Sequence, residues 1–134
     1  MRITSRFALL VGLLVPGVGC DEGSFTPPPR IASITVSLGD CAGLEVGDTC
    51  QLEVEARTAD GTVIESPDIN WFTEDIIFAT VDFQGQVTGM SAGQADIFAQ
   101  SVPGPNACQL ETVICGSRTV GVFEPPPQGP GPPP

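Results

Sequence analysis

From residue 31 to residue 123 the chain is a succession of short stretches in which apolar and polar side chains alternate. Ile34, Val36 and Leu38 alternate with Ser33, Thr35 and Ser37, and Leu52, Val54 and Ala56 with Gln51, Glu53, Glu55 and Arg57. Ile69 and Trp71 alternate with Asp68 and Asn70, and Ala79, Val81 and Phe83 with Phe78, Thr80 and Asp82. Ala95, Ile97 and Ala99 alternate with Asp96, Phe98 and Gln100, and Val120 and Val122 with Thr119 and Gly121. A period of two places successive side chains on opposite faces of an extended backbone. Each stretch therefore predicts a strand with one face on a core and the other mostly in water. Asp60-Gly61 and Gln84-Gly85 follow two of the runs, Gly47 and Gly93 precede two others, and glycine accepts the positive φ of tight turns. About seven short strands with frequent turns predict an all-β sandwich.

The segment before residue 20 has a different pattern. Arg2 and Arg6 make a short basic start, residues 7–15 (FALLVGLLV) are apolar, and Pro16-Gly17-Val18-Gly19 is a small-residue stretch ending at Cys20. That is the layout of a secretory signal, and the apolar run is too short to cross ~30 Å of hydrocarbon as a helix. Val18-Gly19-Cys20 resembles the lipobox of bacterial lipoproteins, although Gly17 stands where leucine is usual. The resemblance implies removal of residues 1–19 and a lipid on Cys20, so that the membrane is the first partner. Residues 20–30, with Pro27-Pro28-Pro29, read as an extended tether, and residues 125–134 (PPPQGPGPPP) as a disordered Pro/Gly-rich tail.

Composition narrows the function. Among 134 residues there are 16 Gly and 14 Pro, too many for a helical protein. Past Cys20 three arginines face 16 acidic residues, a net charge of −13. Such a surface repels nucleic acid and anionic headgroups. The chain has no His and no Lys, so the commonest general base and the amine nucleophile are absent, and no catalytic residue is assigned. The five cysteines are Cys20, Cys41, Cys50, Cys108 and Cys115. Acylating Cys20 leaves four, enough for two disulfides in an oxidising compartment.

The body resembles the bacterial immunoglobulin-like group 2 domain over residues 31–123, apart from one insertion. Residues 31–36 (IASITV) look like the first strand of that family. Leu44-Glu45-Val46-Gly47-Asp48-Thr49 with Gln51-Leu52 is similar to its L-x-V-G-x-T-x-Q-L signature. Residues 69–71 (INW), 79–88 (ATVDFQGQVT) and 92–97 (AGQADI) follow in the family's order. The resemblance implies an immunoglobulin-like β-sandwich over residues 31–124. It also implies a non-catalytic module that adheres to, or spaces, an envelope protein or polysaccharide. The cysteine pairs are additions to the family pattern. In such a sandwich the first and last strand connections lie at opposite ends, which predicts pairing of Cys41 with Cys50 and of Cys108 with Cys115. The bridges then pin two loops, and the long loop over residues 102–116 is the leading contact surface.

The remaining candidates are weighed on their surroundings. Trp71, on the inward parity of its strand, reads as core rather than as a sugar platform. Phe72, Phe78 and Phe98 lie opposite the core positions of their strands and read as packing over a sheet rather than as an open patch. Asp60, Asp68, Asp75, Asp82 and Asp96 are calcium-type ligands near turns, but no ligand ladder joins them. They read as turn-forming acids, with no metal and no cofactor assigned. A calcium- or soluble-ligand-binding lipoprotein is the alternative function.

Overall fold

A computed structural model of the chain describes residues 26–104 and 106–134, together with Gly17 and Gly23. Cys20 and nearly all of the signal segment lie outside the described residues. Among the described residues nine strands form: β1 Ser33–Ser37, β2 Leu44–Glu45, β3 Thr49–Gln51, β4 Glu53–Arg57, β5 Asn70–Thr73, β6 Ala79–Val81, β7 Gln86–Gly89, β8 Gly93–Gln100 and β9 Cys115–Phe123. Among the described residues there is no helix long and apolar enough to cross a membrane.

The strands make two layers. β3 and β4 are two halves of one strand, interrupted at Leu52, whose N–H donates to the Gly85 carbonyl at 3.1 Å. The first half pairs with β7, which pairs with β6, and the second half pairs with β1, all antiparallel. The other layer has the order β2-β9-β8-β5, antiparallel except that β2 lies parallel to β9. The chain between β1 and β3 thus crosses to the second layer, contributes β2, and returns.

Ile34, Val36, Leu52, Ala56, Ala79, Val87, Ala95, Ile97, Ala99, Val120 and Val122 fill the space between the layers. These are the inward positions of the alternating runs. Burying apolar area at about 25 cal/mol per Å² is the main favourable term. Three core members lie outside the alternating runs: Cys41 in a connection, Leu44 in β2 and Cys50 in β3. Cys41 and Cys50 are bonded to each other, with Cα atoms 5.0 Å apart, and both are buried. This bridge sits within the core and does more than pin a loop.

Two expectations need correction. Phe83 does not continue the inward face of β6 and is 82% exposed. The strand ends at Val81 because Asp82 turns the chain: its carbonyl accepts the Gly85 N–H, and its carboxylate accepts the N–H groups of Gln84 and Gln86 at 2.8 and 2.9 Å. Trp71 packs against the core but is half-buried. β5 is the outer strand of its sheet, so one side of the indole stays open. The ring reaches across to the β6–β7 turn, where a Cβ on Gly85 would stand 2.8 Å from it; φ there is +81°, so glycine is required twice over.

Candidate binding surface

The face of the second sheet that points away from the core carries Phe72 on β5 and Phe98 on β8. The two are register partners, and their rings stack with centroids 4.9 Å apart. Gln100 is two residues beyond Phe98 and shares this outward parity, yet it is only 1% exposed. The reason is the loop over residues 101–114, which folds back onto the sheet. The Gln100 amide nitrogen donates to the Gly104 carbonyl at 2.7 Å, and its oxygen accepts the Ala107 N–H at 3.0 Å. The Asn106 side-chain amide donates to Glu74, which lies two residues beyond Phe72. The Asn106 side-chain oxygen is buried, and among the described residues it has no donor.

The root of this loop is closed twice. Ser101 N–H donates to the Ile114 carbonyl at 3.0 Å, and Cys108 is bonded to Cys115 with Cα atoms 5.7 Å apart. Residues 115 and 116, assigned to the loop from sequence, belong to β9. The base of the loop is fastened to Gln100 and Glu74, which leaves residues 109–112 as an exposed crest that includes Leu110. Phe72 and Phe98 are half-buried and packed on each other. Phe78 also packs against the core, in the β5–β6 connection at residues 74–78.

The loop and residues 28–31 share one pole. Pro28, Pro29, Arg30 and Ile31 line a groove with Ile64, Pro67, Asp68 and Ser101. The opposite pole exposes Ile76, Ile77, Met90 and Phe123. Ser91 hydroxyl donates to the Ile77 carbonyl at 2.5 Å, and Met90 N–H to the Phe78 carbonyl at 2.8 Å, so these two connections lie side by side. Val46, Met90, Ala92 and Pro125 line a groove of about 400 Å³ where the tail leaves. Glu45, Asp48, Asp75 and Glu124 lie at this pole. Arg30 and Arg57 lie at the other, and Arg118 sits midway along β9 opposite Ile97. Sequence reading missed this pole. Its one signal was Ile76-Ile77, adjacent apolar residues that break the alternation.

The aspartates are dispersed and occupied. Asp60 accepts the Thr58 hydroxyl and the Thr62 N–H, and these donors hold its carboxyl below the usual aspartate range. Asp82 turns the β6–β7 hairpin. Asp75 accepts the Asp96 N–H at 2.9 Å, and Asp96 accepts the Thr119 hydroxyl at 2.5 Å. Asp68 lines the groove beside Pro28 and Pro29. Among the described residues, three potential metal-ligand atoms come together only at Asp40, Cys41 and Cys50. The two sulfurs there are bonded to each other and offer no thiolate.

Residues 31–104 match the family described as bacterial Ig-like domain (group 2), a span that runs from the start of β1 past the end of β8. No curated protein gives a significant match. Among solved structures, the chain is similar to an intimin mutant of EHEC O157:H7, with 16% identity and a TM-score of 0.46. The similarity covers 69% of this chain and 47% of that one, so this chain spans about half the length of that structure.

Proposed function

Since the chain belongs to the bacterial Ig-like domain (group 2) family, we propose that it serves as a non-catalytic adhesion or structural module of a bacterial cell envelope, held outside the cytoplasmic membrane by a lipid on Cys20. The observation that carries this reading is the polarity of the domain. The tether enters at one pole, and exposed Ile76, Ile77, Met90 and Phe123 stand at the other. A domain anchored through its tether presents that apolar pole outward, where it meets an envelope protein or polysaccharide. The carboxylates around the pole disfavour nucleic acid and anionic lipid as partners. Cysteine usage supports the anchor: four of five are consumed by the two bridges, which leaves Cys20 for acylation. On this reading residues 1–19 are removed, residues 20–30 are the tether, and residues 125–134 extend beyond the domain.

Intact mass of membrane-extracted protein tests the anchor. The expected mass lacks residues 1–19 and carries added acyl chains. Recovery of the protein in the medium with an unmodified Cys20 would refute it. Cross-linking on intact cells tests the surface: adducts formed by the wild type are expected to fall several-fold in an Ile77→Ser, Met90→Ser double variant of unchanged stability. An unchanged adduct pattern would move the contact elsewhere.

A further inference from the structure

The ends of the folded core leave at opposite poles along the strand axis. Arg30 and Ile31 lie beside Ser101, just past the end of β8, whereas Gly93 at the start of β8 pairs with Val122 near the end of β9. The eight residues of β8 separate these poles by about 23 Å. β1 and β9 both run from the tether pole towards the tail pole. A pull between the two ends therefore acts along both terminal strands. Antiparallel ladder bonds lie across the strands, so such a pull loads every pair at once instead of opening them in turn. β1 holds β4 through five register pairs and β9 holds β8 through eight.

The weak element on this path is β2. It has two register pairs with β9, extended by the Val46 N–H to the Phe123 carbonyl at 2.9 Å. Leu44 and Val122, which meet there, are both buried. Without a cross-link, a pull that dislodged β1 would next strip β2 from β9 and open the core. The Cys41–Cys50 bond intercepts it: tension arriving at Cys41 passes through sulfur to Cys50 in β3, and residues 42–49 lie in a closed ring outside the path. The Cys108–Cys115 bond has no such position, because β9 is pulled from its far end.

We infer that this domain is a tension-carrying link between tether and tail, and that the Cys41–Cys50 bond keeps β2 seated on β9 under load. The inference rests on strand geometry and does not depend on acylation of Cys20 or on the identity of any partner.

Stretching the oxidised full chain between handles at its two ends, in optical tweezers, tests it. The wild type is expected to unfold in one step. The Cys41→Ser, Cys50→Ser variant is expected to yield at lower force in two steps, the first releasing β1 and β2. Its total extension should grow by about 27 Å as the ring opens. The Cys108→Ser, Cys115→Ser variant is expected to keep the wild-type force. A Cys41→Ser, Cys50→Ser chain that unfolds in one step at wild-type force overturns the inference. Should that variant fail to fold, the wild type decides alone. With one handle moved from the C-terminus to the exposed Thr62, the pull peels β1 from β4 pair by pair. The rupture force should then fall roughly two-fold or more. Equal forces in the two geometries overturn the proposal.

Discussion

Replacing Gln100 by Ala removes the side chain that fastens the 101–114 loop to the sheet. Two hydrogen bonds are lost, from the amide nitrogen to Gly104 and to the amide oxygen from Ala107. Each is worth about 0.5–1.5 kcal/mol net, and each backbone partner left dry costs about 1–3 kcal/mol. If water enters and solvates the carbonyl and the N–H, only the net terms count, about 1–3 kcal/mol together. If the loop stays closed, the cost rises to about 4 kcal/mol, because the residue is 1% exposed and a cavity is added. Out of a typical 5–15 kcal/mol total, either loss is easily measured by urea unfolding. The two routes are separated by hydrogen exchange: solvation predicts fast exchange at Ala107 while β8 and β9 stay protected. The Cys108–Cys115 bond confines the opening to the loop. A Gln100→Ala variant within about 0.5 kcal/mol of wild type, with Ala107 still protected, would refute the argument that this buried amide holds the loop.

Trp71→Ala is expected to cost about 2–4 kcal/mol, below the full-burial range because the ring is half-buried, whereas Phe83→Ser should stay within about 0.5 kcal/mol; equal costs in urea unfolding would contradict the turn at Asp82. Gly85→Val should destabilise by about 2–4 kcal/mol, since it forces a branched side chain into positive φ and against the Trp71 ring, and the loss should shrink in a Trp71→Ala background. Loss of the Cys108–Cys115 bond should cost about 2.5 kcal/mol or less in the chain-entropy description, and loss of Cys41–Cys50 more than that, because its sulfurs belong to the core; non-reducing peptide mapping checks the pairing itself. The Asp60 carboxyl should titrate below the ordinary aspartate range by NMR. Its folded pKa is lowered, so its contribution to stability is present above about pH 4 and is lost as pH falls through the folded value.

The strand faces were legible in the sequence because alternation is a local property. Ile34 and Val36, Ala95, Ile97 and Ala99, and Val120 and Val122 point inward wherever their strands are placed, since the pleat alone sets their direction. Turn glycines were legible for the same reason: a positive φ at Gly47, Gly61 and Gly85 is a backbone demand met residue by residue. Other features follow from what lies across space. β2 is two residues long, too short for any periodicity, and exists because β9 offers an edge to pair with. Parity sets Gln100 outward, and only the loop folding back over the sheet buries it. Phe72 and Phe98 declare their face, but their stacking depends on a register that neither strand encodes alone. The apolar pole arises from residues 76, 77, 90 and 123, which two separate connections and the end of β9 bring together. The expectation of an export signal ending at Cys20 comes from sequence alone, since such motifs are read along the chain. Surfaces of contact and paths of tension are properties of assembled strands, and they are fixed only when both sheets close on one core.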